Sequence, residues 1–360
     1  MDAFLIETDG IDELSAQLIR DSCICHECRD ALSGQRLKSI LELEPNLEIK
    51  EINEDEDSVT FVLSDGHHVT LDGQSVEDLI LEMMPLNWRG QLAKTMWLKE
   101  DAPQAIFQWG IISTDDAKLY EMLDQLISYG FAVIGELPNK DRAVLDVIHT
   151  FGYERVTNYG DIFDVRVVEG PNNLAFTNLA IAPHTDNPYR DPVPTIQLLH
   201  CLESTVEGGL SGLVDGFRAA TLLRENDPKN FEILSTRLFQ FEYKNPEVHL
   251  SVSAPIIKTD AMDEIVEIRW NDRSMQPPFN GVDINEVYEA LRAFARILND
   301  PANLVQFKLQ PGECIIFDNS RVLHARTGFE TNGNRHLQGA YADLDSAISR
   351  WSILQDKLDI

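Results

Sequence analysis

The spacing of apolar positions divides the chain of 360 residues into a short first part and a long second one. Over 47–52 (LEIKEI), 58–63 (SVTFVL) and 68–71 (HVTL), apolar and polar residues alternate with the period of half-buried strands. SDGHH at 64–68 reads as a turn between them. The run 75–84 (SVEDLILEMM) has helical spacing and ends at Pro85, while 87–103 has no clear period and reads as a linker. From 113 the pattern predicts a long helix (STDDAKLYEMLDQLISYG). Ser113 or Thr114 is its N-cap, acidic residues fill its first turn, and Gly130 is its C-cap. FAVIG at 131–135 is a buried strand, and 139–152 is a second helix.

Short strand-like runs then recur at 195–201, 212–217, 237–243, 248–253, 255–259, 265–270, 304–309, 313–318 and 335–343. Helices interrupt at about 216–236, 283–299 and 345–357. Many short strands separated by turns predict a mainly β fold, a sandwich or jelly roll with flanking helices. A parallel α/β sheet fits worse, because strands and helices do not alternate regularly. The expected organisation is a small N-terminal domain over 1–88, a linker over 89–103 and the jelly roll over 104–360.

Composition narrows the function. The formal net charge of −30 repels phosphate backbones and anionic bilayers, so neither nucleic acid nor a membrane is an expected partner. The first ten residues, MDAFLIETDG, lack the basic and apolar regions of a signal peptide, and no run approaches the roughly 18 apolar residues of a membrane span. Five cysteines, three of them within CICHEC, read as thiols in a reducing, cytoplasmic setting.

The first chemical signal is IAPHTDNPYRD at 181–191. His184 and Asp186 stand two apart. On extended backbone both side chains point to one face, whereas on a helix they would diverge by about 200°. Pro183 and Pro188 keep the segment non-helical. The spacing suits two ligands of one metal ion at a strand end. His324, 140 residues later in CIIFDNSRVLHARTGF, supplies a third. Two histidines and a carboxylate form the facial triad of non-haem Fe(II) oxygenases, with open positions for 2-oxoglutarate and dioxygen. Arg335, 11 residues beyond His324, offers a planar fork for the distal carboxylate of 2-oxoglutarate.

The stretch NNLAFTNLAIAPHTDNPYRDPVPTIQLLHCLESTVEGGLSGLVDGF (172–217) resembles the core of the gamma-butyrobetaine hydroxylase and trimethyllysine hydroxylase family of TauD/TfdA-like oxygenases. The family's HTD, QLLHC, GG and VDGF fall at His184–Asp186, Gln197–Cys201, Gly208–Gly209 and Val214–Phe217. PGECIIFDNSRVLHAR (311–326) and RHLQGAYADLD (335–345) are similar to its C-terminal motifs, so the resemblance covers nearly the whole chain. It implies a double-stranded β-helix, Fe(II), 2-oxoglutarate, and hydroxylation of an unactivated C–H bond with release of succinate and carbon dioxide. The family's iron ligands fall on His184, Asp186 and His324, and its carboxylate-binding arginine on Arg335.

A second constellation lies near the start. Cys23, Cys25 and Cys28 form C-x-C-x-x-C, and SDGHH supplies His67 or His68, with His26 a further candidate. Three thiolates and an imidazole suit a closed, structural zinc site, a useful staple for a small domain. The family carries such a site with its histidine in a D-G-H turn, which implies His67.

Read alone, Tyr159, Phe163, Phe176 and Tyr341 are core aromatics. The resemblance implies that they form a cage for a quaternary ammonium, which aromatic faces recognise. The family has Tyr, Trp, Tyr and Tyr at these positions, so Phe163 and Phe176 depart from it. Asn187 also departs, standing where the betaine hydroxylases have an aromatic residue after HTD. Asn173 and Asn271 match the family's tail-binding asparagines, while Arg273 has no counterpart and suits a dianion. The expected substrate is therefore a small, gamma-butyrobetaine-like trimethylammonium zwitterion with an anionic tail. 2-(Trimethylammonio)ethylphosphonate and trimethyllysine are alternatives, and a cupin-like metal hydrolase or isomerase is the competing class. A homodimer is the expected assembly.

Overall fold

In the computed structural model, which describes residues 14–55, 57–82, 94–167, 177–278, 283–330 and 332–359, the alternating stretch near the start becomes three strands. They are β1 (Ile49–Glu54), β2 (Ser58–Leu63) and β3 (His68–Asp72), antiparallel in that order. Val59, Phe61 and Leu63 of β2 and Val69 and Leu71 of β3 are buried against Ile19 of α1 (Ala16–Asp21) and Val76 of α2 (Gly73–Glu82). Period-two burial puts these apolar residues on one face of the sheet. The expected helix end at Pro85 lies outside the described residues. This unit spans Met1–Asn87, and the second spans Trp88–Ile360.

The second unit contains β4 (Ile106–Gln108), β5 (Phe131–Gly135), β6 (Ile162–Val165), β7 (Ile181–His184), β8 (Ile196–Ser204), β9 (Ser211–Asp215) and β10 (Phe239–Lys244). It continues with β11 (His249–Ala254), β12 (Ile257–Thr259), β13 (Ile265–Ile268), β14 (Val305–Phe307), β15 (Cys314–Asp318), β16 (Val322–Arg326) and β17 (Arg335–Ala342). Among the described residues, one sheet runs β4-β5-β15-β8-β17-β6 and a second runs β14-β9-β16-β7. Cys201, Leu213, Ile315, Phe317, Val322 and Leu337, from both sheets, share one buried cluster. This is a double-stranded β-helix.

Alternation along each strand decides what each face meets. Leu198 of β8, Ile316 of β15 and Ala340 of β17 face an outer core. There they pack on α3 (Trp109–Ile112), α4 (Asp116–Tyr129), α5 (Ala143–Ile148) and α9 (Leu344–Leu358). Gln197, Leu199, Ile315, Phe317, Leu337 and Tyr341, at the intervening positions, line an internal cavity. A third core joins α6 (Gly216–Asn226), α7 (Pro228–Thr236) and α8 (Ile284–Leu298) to β10 and β13.

Several boundaries differ from the sequence reading. The N-cap of α4 is Asp115, not Ser113 or Thr114, because its carboxylate accepts from the N–H groups of Ala117 and Lys118. Gly130 ends this helix at φ +81°. Its missing Cβ would lie 2.8 Å from a Val322 methyl, so only glycine fits. The helix expected over 139–152 shortens to Ala143–Ile148, with Arg142 in left-handed geometry before it. The expected helix over 216–236 is two, divided where Asp227 caps Pro228. The strand expected over 212–217 ends at Asp215, since Gly216 and Phe217 open α6. Strands β6 and β16 were not expected.

One buried ion pair joins several of these elements. The Arg321 and Asp215 side chains are 1% and 0% exposed, with Arg321 Nη2 2.9 Å from Asp215 Oδ2. Arg321 also donates to the carbonyls of Ser128 and Thr95. Asp215 accepts from the backbone N–H groups of Phe217 and Trp97. The aperiodic stretch at 94–103 is thereby tied into the larger unit, with Trp97 1% exposed. Removing one partner of such a pair leaves a buried charge uncompensated. Arg321→Met is therefore expected to lower the unfolding free energy by about 3–5 kcal/mol, measured by urea denaturation.

Candidate functional site

His184 ends β7 and His324 lies within β16, and the two are register partners in an antiparallel pair. Their ring centroids are 4.1 Å apart. Asp186, two residues past His184, has Oδ1 3.4 Å from His184 Nε2 and Oδ2 3.9 Å from His324 Nε2. The ligand atoms of the three residues lie within 4.8 Å of one another. The structure thus gathers the sequence-predicted triad at one point.

Hydrogen bonds orient each group. His184 Nδ1 lies 2.9 Å from the Ala182 carbonyl and donates to it, so Nε2 presents its lone pair to the centre. Gln197 Nε2 and the Tyr341 hydroxyl both donate to Asp186 Oδ2, at 2.8 and 3.0 Å. Fully buried Asn319 holds the Asp186 backbone, accepting from its N–H and donating to its carbonyl. Burial opposes ionisation of Asp186, but His324, His184 and Arg273 outweigh it and hold the carboxyl well below the usual range. Two imidazoles and one carboxylate are a donor set suited to Fe(II).

The triad opens on a cavity of about 350 Å³. Arg335 lines it at 8% exposure, and among the described residues no carboxylate pairs with it. Burial lowers its proton affinity. A Cβ on Gly209 would lie 3.1 Å from Arg335 Nε, so this glycine leaves room for the guanidinium. Arg326, lining the same cavity, is lowered to about 10 by burial and by Arg335, and stays charged at neutral pH. Such a site fits a small dianion.

Aromatic rings form another wall. Phe163 stacks 4.9 Å from Tyr341, and its ring lies where a Cβ of Gly339 would be, 2.3 Å from Phe163 Cζ. Tyr159 lies 6.4 Å from Phe163. Phe176 and Asn173 fall outside the described residues. Sequence reasoning missed Tyr189 and Tyr243, which stack at 5.1 Å and line the same cavity. The Tyr189 and Tyr159 hydroxyls are 3.1 Å apart. Tyr189 stands in the same stretch as HTD, but Tyr243 carries no local signal. Asn271 is buried and donates to the Thr185 carbonyl, while its Oδ1 accepts from Arg273 Nε. Arg273 lines the cavity and is also open to solvent.

In the first unit, His67 Nε2 lies 3.2, 3.6 and 3.7 Å from the sulfurs of Cys23, Cys25 and Cys28. Those are the edge lengths of a tetrahedron around an ion bound at about 2.0–2.3 Å. His26 and His68 are exposed and not in this cluster. Gly66 at φ +81° makes the turn, and Asp65 accepts from the His67 N–H and from Arg20 Nε. Arg20 also donates to Cys28 Sγ. Burial and the neighbouring sulfurs push the Cys23 thiol up to about 11, so clustering three thiolates calls for a cation.

Burial, reinforced by His184, lowers His324 from 6.5 to about 3. Between those pH values the unfolded chain takes up a proton that the folded chain refuses, so metal-free protein loses stability as pH falls through this window. His324→Asn is expected to remove about one proton from the slope of unfolding free energy against pH between about 6.5 and 4. Urea titrations of chelator-treated protein across that range measure it.

Comparison with known proteins supplies a family. The model of the taurine catabolism dioxygenase TauD, TfdA family matches residues 99–341. A trimethyllysine dioxygenase from Meyerozyma guilliermondii is 28% identical over 377 residues, covering 98% of this chain and 94% of that protein. A gamma-butyrobetaine dioxygenase from Pongo abelii is 30% identical over 356 residues, covering 95% and 91%. The solved structure of the PvcB protein from Pseudomonas aeruginosa shares the fold, with a TM-score of 0.50 and 20% identity over 66% of this chain and 84% of that one. The matched span contains the His184–Asp186–His324 cluster and Arg335, and the chain, a 2-oxoglutarate-dependent dioxygenase, belongs to the taurine catabolism dioxygenase TauD, TfdA family.

Proposed function

We propose that this dioxygenase hydroxylates an unactivated C–H bond of a small trimethylammonium zwitterion. One observation carries the reading: Tyr341 stacks on Phe163 in the aromatic wall while its hydroxyl donates to Asp186. A cation held by that wall sits beside the proposed metal centre. The names of relatives, gamma-butyrobetaine dioxygenase and trimethyllysine dioxygenase, support the same head group.

His184, Asp186 and His324 would hold Fe(II), and Arg335 would hold the distal carboxylate of 2-oxoglutarate. The chemistry these two supply when bound is oxidative C–H hydroxylation with release of succinate and carbon dioxide. The chain's part is positioning. Gln197 and Tyr341 engage Asp186 Oδ2 and leave Oδ1 for the metal. Phe317, 5.1 Å from the His324 ring, covers the site with apolar surface. Tyr159, Phe163, Tyr189, Tyr243 and Tyr341 receive the trimethylammonium head. Arg273, whose Nε donates to Asn271 Oδ1, receives the anionic tail, and its guanidinium suits a phosphonate such as 2-(trimethylammonio)ethylphosphonate.

Cys23, Cys25, Cys28 and His67 are proposed to hold a structural zinc ion. Five free cysteines fit a cytoplasmic setting. Among the described residues no helix is long and apolar enough to cross a membrane. A homodimer is the proposed assembly, to be tested by sedimentation.

The head group provides the main test. A neutral tert-butyl isostere matches the trimethylammonium in volume but lacks its charge. The cation is expected to exceed it by about tenfold or more in kcat/KM, and Tyr341→Ala to shrink that preference. Equal turnover of both would remove the cage and the betaine reading with it. The zinc assignment is separate. Cys25→Ala is expected to lose one equivalent of zinc by metal analysis and to lower the melting temperature.

A further inference from the structure

We infer that the side-chain amide of Asn187 binds the polar end of the substrate. The inference rests on the trimethylammonium zwitterion proposed above and adds a residue with no role in that reading. Asn187 directly follows Asp186, lines the same cavity and is 3% exposed. Its Nδ2 and Oδ1 are both buried, and among the described residues neither has a hydrogen-bond partner. Buried polar groups are almost always paired, so an unpaired amide on a cavity-lining residue points to a ligand that completes it.

Backbone conformation offers a competing account. Asn187 has φ +54°, in the left-handed region that favours glycine and asparagine. That explains the backbone but not the burial of both amide atoms, since asparagine at such turns bonds nearby backbone or faces water.

Chemistry and connectivity indicate which part of the ligand the amide meets. A trimethylammonium head has neither a donor nor an acceptor, whereas an anionic tail carries several acceptors. The chain on either side of Asn187 is laced to the segment leading to Arg273. Thr185 donates to the Trp270 carbonyl at 2.8 Å, and its hydroxyl accepts from the Trp270 N–H at 3.0 Å. The Pro188 carbonyl accepts from Arg269 Nη1 at 3.2 Å. Asn271 spends its amide on Thr185 and Arg273. The Asn187 amide keeps its capacity, and its Nδ2 donates to a tail oxygen that Arg273 also attracts.

The test compares Asn187→Gly with the unaltered protein, both loaded with Fe(II) and 2-oxoglutarate in the absence of oxygen. Glycine accepts φ +54° freely and removes the amide. Calorimetric titration uses gamma-butyrobetaine, 2-(trimethylammonio)ethylphosphonate and the tail-less n-propyltrimethylammonium ion. Asn187→Gly is expected to weaken both zwitterions about tenfold or more while changing the tail-less cation by less than about twofold. The melting temperature and the affinity for 2-oxoglutarate should hold. Asn187→Asp, which also tolerates this backbone, should weaken the zwitterions further by repelling the tail. Unchanged zwitterion affinity in Asn187→Gly, an equal loss for all three ligands, or a loss confined to 2-oxoglutarate would each overturn the inference and leave the trimethylammonium reading standing. Failure of the unaltered protein to bind any of the three would overturn that reading, and the inference with it.

Discussion

The pairing of β16 with β7 is the constraint on which the catalytic unit rests. It places His324 opposite His184, residues 140 apart in the chain, with their rings 4.1 Å apart. Opposed residues of an antiparallel pair point to the same face, so the ladder itself brings the imidazoles together. A slip of one residue would turn His324 to the other face and dissolve the cluster. Asp186 joins from just beyond the strand, where Asn319 holds its backbone by two hydrogen bonds. The Arg321–Asp215 pair braces the start of β16 and the end of β9 beside it.

Around that register, the protein separates charge from aromatic surface. The chain carries a formal net charge of −30, yet Arg273, Arg326 and Arg335 all line one cavity. The local field there opposes that of the whole molecule, as binding a dianionic co-substrate requires. Tyr159, Phe163, Tyr189, Tyr243 and Tyr341 line the same cavity and offer faces to a cation that cannot hydrogen-bond. Small residues make both arrangements possible. Gly209 yields space to Arg335, and Gly339 yields space to Phe163.

Legibility in the sequence followed one-sided burial. Strand β2 alternates buried with half-buried positions and β3 buried with exposed ones, and α4 and α8 carry apolar faces with capped ends, so their patterns could be read. β6 is half-buried at every position and shows no period, and it was missed. The three fully buried strands β9, β13 and β15 read as apolar runs whose ends the pattern could not place, as the early start of α6 shows. Among site residues, those with a chemical signature at fixed spacing stood out: HTD, the distal histidine, and C-x-C-x-x-C. Tyr189 and Tyr243 did not, because each is an ordinary tyrosine until β10 and the loop after β7 stack them.

The sequence by itself determined the strand-rich architecture, the side-chain types of the two clusters that the structure gathers, and the division into a small cysteine-bearing unit and a larger one. Each of these is written in local spacing and residue chemistry. Tertiary structure alone decided that Tyr341 reaches Asp186 and that Tyr189 stacks on Tyr243. It also decided that the amide of Asn187, a residue lining the cavity, has no partner among the described residues. These depend on strand register and on which side chains compete for the same hydrogen bond, and long-range pairing sets both.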